Sequence, residues 1–111
     1  EIPDPQEHGT VEASRLRWEE LDEAEHARML VWYQGLIALR RKLAWSQRTA
    51  WPQVDETDDV LTVTYEDIVV ATNLSDQDRP APAATTVLLS WNPVDAVPPI
   101  LCPGQTLIAR R

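Results

Sequence analysis

One segment, residues 25–43 (EHARMLVWYQGLIALRRKL), constrains the fold most strongly because its apolar residues recur with the period of an α-helix. At about 100° per residue, one arc of that helix carries Met29, Leu30, Trp32, Tyr33, Leu36, Ile37, Leu39 and Leu43. The opposite side carries Val31, Gln34, Gly35, Ala38, Arg41 and Lys42. The arc is too wide for a coiled-coil seam and too often interrupted by charge for a membrane span. It therefore predicts a helix over residues 23–44 that packs against a large partner surface.

A cationic side chain, Arg40, falls inside this apolar arc. A guanidinium there must extend to water or meet a carboxylate, and we expect an Asp or Glu contributed from elsewhere. The basic residues of the chain are concentrated around this helix: Arg28, Arg40, Arg41, Lys42 and Arg48. We interpret them as partners in intramolecular ion pairs and as favourable charge at the helix C-terminus, rather than as an anion site.

Beyond residue 51 the apolar residues change to the alternating period of β-strands. Residues 60–65 and 68–73 predict a hairpin that reverses at Glu66 and Asp67, while 85–91 and 105–110 predict two further strands. Residues 75–82 read as a loop or an edge segment. Because no helix separates the strands, they must be antiparallel. The predicted fold class is α+β: an N-terminal loop, one long amphipathic helix and a small antiparallel β-sandwich.

Several of these segments resemble the α-amylase superfamily, glycoside hydrolase family 13. Residues 32–43 (WYQGLIALRRKL) are similar to its last barrel helix, and residues 68–76 (IVVATNLSD) and 103–110 (PGQTLIAR) to strands of its C-terminal β domain. Residues 2–18 (IPDPQEHGTVEASRLRW) resemble the segment after the eighth barrel strand in the trehalohydrolase group, which acts on malto-oligosyltrehalose. The chain departs from that group at three positions: Val11 replaces Phe, Arg15 replaces Lys, and Arg17 replaces Asp.

The resemblance implies that residues 1–45 end a catalytic barrel and that residues 46–111 form an all-β domain. The parent is expected to hydrolyse the α-1,4 bond beside a terminal trehalosyl unit by a retaining two-carboxylate mechanism, with residues 2–16 nearest its cleft. The catalytic carboxylates belong to earlier barrel strands, so no catalytic residue is expected in this chain. Two alternatives remain open: the C-terminal domain of an α-1,4-glucan branching enzyme, and a stand-alone glucan-binding module.

Charge and residue usage narrow the possible ligands. The formal net charge of −8 argues against nucleic acid and anionic membranes as partners. His8 and His26 stand alone in acidic contexts, so neither a metal site nor another cofactor is expected. A single cysteine, Cys102, excludes an intrachain disulfide and predicts a reducing, cytoplasmic location; its apolar context predicts a small buried side chain.

The chain has five tryptophans, and an exposed indole can stack on a sugar ring. We expect most of them to anchor loops onto the core; the candidates for sugar contact are Trp18, Trp45, Trp51 and Trp91. Trp91, in the sequence SWNP, is the best of these. The expected partners are the missing barrel of the parent, an α-glucan bound through the parent, and a second copy that pairs through the apolar helix face.

Overall fold

The computed structural model describes residues 4–47 and 49–111 and divides into two compact units, Glu1–Val31 and Trp32–Arg111. The helical elements are α1 (His8–Ala13), a 3-10 turn (Trp18–Asp22), α2 (Ala24–Lys42) and a second 3-10 turn (Trp45–Gln47). The strands are β1 (Gln53–Thr57), β2 (Val60–Tyr65), β3 (Ile68–Asn73), β4 (Arg79–Pro80), β5 (Thr86–Ser90), β6 (Ile100–Leu101) and β7 (Thr106–Arg110). One long helix followed by antiparallel strands confirms the predicted α+β fold.

The first unit consists of helical turns with exposed side chains. Neither α1 nor the 3-10 turn that follows contains a buried residue. A local ion pair joins Arg17 Nε to Glu20 Oε1 at 2.9 Å. Leu16 and Trp18 are 77% and 72% exposed. The expectation that the tryptophans anchor loops therefore does not hold for Trp18.

The main sheet has five antiparallel strands in the order β1-β2-β3-β7-β5, and β4 pairs with β6 in a separate two-stranded sheet. The predicted hairpin over residues 60–73 is confirmed: β2 and β3 pair with Tyr65 opposite Ile68. Strand β1 was not predicted. It reaches β2 through Asp58 and Asp59, whose positive φ angles of 52° and 60° suit the tight two-residue turn between twisted strands.

The hydrophobic core lies on one face of this sheet. Strand alternation directs side chains of β2, β3 and β7 to that face, where the segment that contains β4 and β6 covers them. The buried members are Val60, Val69, Ala71, Leu101, Leu107 and Ala109. Partly buried Ala81, Ala84, Val87 and Val97 pack against them. The covering segment thus supplies the second layer of the predicted sandwich.

The second half of α2 lies against the opposite face of the sheet, and Gly35 makes the close approach. A Cβ added at Gly35 would lie 3.1 Å from Leu89 Cδ1. The sequence placed Gly35 on the side away from the apolar arc, which is wrong, because the helix turns the Gly35 side and only part of the arc toward the sheet. The half-buried members of the arc are Trp32, Leu36, Leu39 and Leu43. The members that stay exposed are Met29 (45%), Leu30 (42%), Tyr33 (58%) and Ile37 (50%).

A buried amide, Asn73, joins the end of β3 to the neighbouring loops. Its Nδ2 donates hydrogen bonds to the carbonyl oxygens of Gln77 (2.7 Å) and Leu101 (2.9 Å). Its Oδ1 accepts hydrogen bonds from the backbone N–H (2.9 Å) and the hydroxyl (2.8 Å) of Ser75. The side chain therefore uses two donors and both acceptor positions, as a fully buried amide requires.

The turn before β7 corrects the prediction for Cys102, which is exposed rather than buried. Leu101, the last residue of β6, is fully buried, and the chain then turns outward through Gly104, whose φ is 68°. In the part of the chain that the structure describes, no helix is both long enough and apolar enough to cross a bilayer.

Candidate functional site

Trp91, the predicted sugar contact, follows β5 directly and is half-buried. Its backbone N–H donates a hydrogen bond of 2.9 Å to the carbonyl oxygen of Thr106. Its ring meets that of Trp32 edge to face, with centroids 5.6 Å apart and planes at 89°. This geometry is the preferred one for an aromatic pair, and it fixes the Trp91 ring against α2. A role for Trp91 in sugar contact stays a prediction.

The remaining tryptophans of the second unit differ in exposure. Trp45 is half-buried and packs against Tyr65, with ring centroids 5.1 Å apart and planes at 39°. Trp51, which precedes β1, is 92% exposed, so it does not anchor its loop as the sequence predicted. An indole with both faces in water is an available platform for stacking, whereas Trp91 already has an aromatic neighbour.

An apolar groove runs between the second half of α2 and the sheet. It encloses about 330 Å³ and is lined by Leu36, Leu39, Arg40, Leu43, Trp45, Val70 and Ile108. All but one of these side chains are apolar. The groove lies on the same face of the sheet as the close approach of Gly35 to Leu89 of β5. The sequence pattern could not locate it, since periodicity shows an apolar face but not the gap beneath it.

The single charged side chain of the groove is Arg40. It is exposed, and it forms no ion pair or hydrogen bond with any residue among 4–47 and 49–111. Arg41 and Lys42 likewise have no ion pair within the described ranges, so the predicted intramolecular pairing is not found there for these three residues. They do occupy the last turn of α2, where cations suit the helix dipole. Arg48, the fifth member of the predicted basic patch, lies outside the described residues.

Several other titratable groups of the described residues form ion pairs at the surface. Arg79 lies 3.0 Å from Asp59, and Arg110 lies 2.9 Å from Asp67. In the first unit, His26 Nδ1 lies 3.6 Å from Glu20 Oε2. No group of three or more His, Cys, Asp or Glu residues that could hold a metal ion occurs among the residues described. These pairs connect neighbouring segments, and none of them lines the groove.

Comparison with known proteins finds relatives that all carry the same name. The malto-oligosyltrehalose trehalohydrolase of Mycobacterium tuberculosis (strain H37Rv) is 30% identical over 96 residues, which cover 82% of this chain and 16% of that protein. The protein of the same name from Rhizobium sp. (strain M-11) is 36% identical over 81 residues, covering 71% of this chain and 14% of that protein. The one from Arthrobacter ramosus is 48% identical over 42 residues, covering 38% and 7%. No family model matches the chain.

The chain spans about one sixth of the length of the M. tuberculosis relative, so the match concerns one part of a much larger protein. The helix and the antiparallel sheet are consistent with the C-terminal region of the α-amylase superfamily. The chain is therefore related in sequence to the malto-oligosyltrehalose trehalohydrolases, as the resemblance of residues 2–18 and 32–43 predicted.

Proposed function

We propose that this chain is the non-catalytic C-terminal part of a glycoside hydrolase that acts on α-glucans in the cytoplasm. The observation that carries the proposal is the 30% identity over 82% of the chain to a trehalohydrolase. The parent hydrolyses the α-1,4 bond next to a terminal trehalosyl unit and releases trehalose. Two carboxylates contributed by the catalytic part carry out that reaction, one as nucleophile and one as acid and base.

The role of this chain is physical rather than chemical. The sheet covers one side of α2, and the apolar side chains that remain exposed on the second half of the helix, Tyr33 and Ile37, face the catalytic part. Exposed apolar side chains that recur on one helix face favour a protein partner over water. The proposal includes the predicted domain boundary: residues 1–45, with α2 as the last helix, complete the catalytic barrel, and residues 46–111 form the β domain.

The experiment exchanges the matching region of the M. tuberculosis relative for this chain. Trehalose release from maltooligosyltrehalose is then compared among the chimera, the relative with that region deleted, and the isolated chain. We expect the chimera to recover activity that the deletion loses, and the isolated chain to be inactive. Hydrolysis by the isolated chain, or a chimera no more active than the deletion, contradicts the proposal.

A second function, binding of α-glucan by the β domain itself, is favoured by one observation: Trp51 is 92% exposed. Stacking of a glucose ring on an indole changes its fluorescence. If Trp51 or the predicted Trp91 contacts sugar, maltoheptaose at millimolar concentration changes the emission of the isolated chain, and Trp51→Phe or Trp91→Phe abolishes that change. Trp18→Phe tests the exposed candidate of the first unit in the same way. Trp45→Phe, whose ring is half-buried against Tyr65, is the control. An unchanged emission spectrum with the unsubstituted chain excludes this function.

A further inference from the structure

We infer that the groove between α2 and the sheet is the docking site for an acidic, apolar segment of the parent's catalytic part, whose carboxylate meets Arg40. This inference rests on the proposed function, which supplies the partner. It adds the chemistry of the contact: a large apolar side chain enters the groove, and an Asp or Glu beside it on the same segment forms an ion pair with the guanidinium.

The residues that line the groove favour an apolar side chain as its occupant. Six of its seven side chains are apolar, and the space of about 330 Å³ accommodates a large side chain. Val70 and Ile108 form its floor on the sheet, and Leu36, Leu39 and Leu43 form its wall on the helix. Filling such a space with apolar atoms removes water from both surfaces and restores contacts between close-packed groups.

The position of Arg40 favours a carboxylate on the same partner segment. Arg40 is exposed and lines the apolar groove, and among the described residues no carboxylate pairs with it. An arginine is a fixed planar donor that binds a carboxylate through two parallel hydrogen bonds. Arg41 and Lys42 follow in the same helical turn and add to the positive potential that attracts an acidic segment.

A second copy of this chain fits the same surface poorly. A two-fold symmetric pair through the groove would place the same patch of both subunits in the interface. No acidic residue lines the groove, so this patch of a second copy would bring no carboxylate to Arg40. The charge of the groove therefore favours a partner of different composition.

The test titrates the full 111-residue chain, labelled with a fluorophore at Cys102, with the M. tuberculosis relative from which the matching region has been deleted. We expect Arg40→Gln to weaken binding about tenfold or more, because it removes one member of a partly buried charge pair. Arg41→Gln is the matched control, since it removes the same charge from the next residue, which lies outside the groove; we expect a change of no more than about twofold. Arg40→Lys, which keeps the charge but loses the bidentate geometry, falls between them.

A second variant tests the apolar half of the inference. Val70→Phe places a ring in the floor of the groove and competes with the incoming side chain, so we expect weaker binding while the circular dichroism of the free chain is unchanged. Should this variant fail to fold, Leu36→Met, which alters the wall with little change of volume, replaces it, and we expect a smaller loss of affinity.

Three results overturn the inference. Equal affinities of the Arg40→Gln and Arg41→Gln chains show that Arg40 meets no carboxylate, and this result leaves the proposed function intact if the chimera described above is active. Sedimentation equilibrium of the free chain can reveal self-association. If it does, and Arg40→Gln abolishes it, the occupant of the groove is a second copy of this chain. If the unsubstituted chain does not bind, the catalytic part is not the partner of the groove. If the chimera is inactive as well, the proposed function is also refuted.

Discussion

Replacing the buried amide of Asn73 by alanine is expected to destabilise the second unit severely. The substitution leaves the carbonyl oxygen of Leu101, buried at the end of β6, without its donor at 2.9 Å, and the Gln77 carbonyl without its donor at 2.7 Å. A buried polar group that loses its partner costs about 1–3 kcal/mol. Only the Leu101 carbonyl is buried and left unpaired, because the exposed Gln77 carbonyl keeps the Ser75 hydroxyl as a donor at 2.9 Å. That group and a small cavity together lower the free energy of unfolding by about 2–3 kcal/mol, a large fraction of the roughly 5–15 kcal/mol typical of a domain.

Asn73→Asp separates the contribution of the amide NH₂ donor from that of the amide oxygen acceptor. The retained oxygen still accepts from Ser75, but the second oxygen replaces the donor that faces two carbonyl oxygens. Burial and these oxygens raise the pKa of the new carboxyl above its unfolded value of about 3.9. The protonated form can donate one hydrogen bond, so the loss of stability is smallest below pH 4 and grows as the pH rises through the raised pKa.

Urea unfolding of the purified chain, followed by circular dichroism, measures both effects. Gln77→Ala is the control, because it removes an exposed amide from the same loop and leaves the Gln77 carbonyl in place. We expect it to change the free energy of unfolding by less than about 0.5 kcal/mol. A loss below about 1 kcal/mol for Asn73→Ala, or a stability of Asn73→Asp that does not vary with pH, refutes the reasoning.

Three further substitutions test other parts of the structure. Gly35→Val drives a branched side chain into Leu89, and we expect a loss of about 2 kcal/mol in urea unfolding against about 0.5 kcal/mol for Ala38→Val on the exposed side of α2. Gln105→Leu leaves the backbone N–H of Cys102 and the hydroxyl of Ser90 without their partner, and we expect a loss of about 1–2 kcal/mol by the same measurement; a loss within error means that water replaces the amide. The exposed thiol of Cys102 is expected to react fully with a thiol reagent in the folded chain, with Cys102→Ser as the blank, and protection until urea is added contradicts the exposure.

The elements that the sequence predicted correctly are those whose pattern and turn chemistry agree. In the β2-β3 hairpin, alternating β-branched residues flank a polar reversal, and Glu66 adopts a φ of 54° there. Strand β1 was missed because its sequence, QVDET, contains only two β-branched residues and leaves every side chain exposed. Pairing with β2, rather than its own propensity, makes it a strand, and pairing is not visible in a local pattern.

The surfaces around α2 were only partly predictable. The apolar arc was recognised from periodicity, but periodicity does not say which part of an arc meets which neighbour. The side that approaches the sheet is centred near Gly35, where the absence of a side chain permits close packing, and a hydrophobicity pattern counts such a residue as polar. The apolar groove lies beside that close approach. The sequence raised the question of a partner for Arg40, and only the fold showed that Arg40 lines this groove.

Strand β1, at one edge of the five-stranded sheet, affects how the protein behaves at high concentration. It has a neighbour on one side only, and its five residues are all exposed, so its other side presents backbone groups that could pair with the same strand of another molecule. Asp55 and Glu56 in the middle of the strand make such pairing repulsive, because antiparallel copies would bring carboxylates together. The charge on this edge therefore protects the protein against edge-to-edge, fibrillar aggregation.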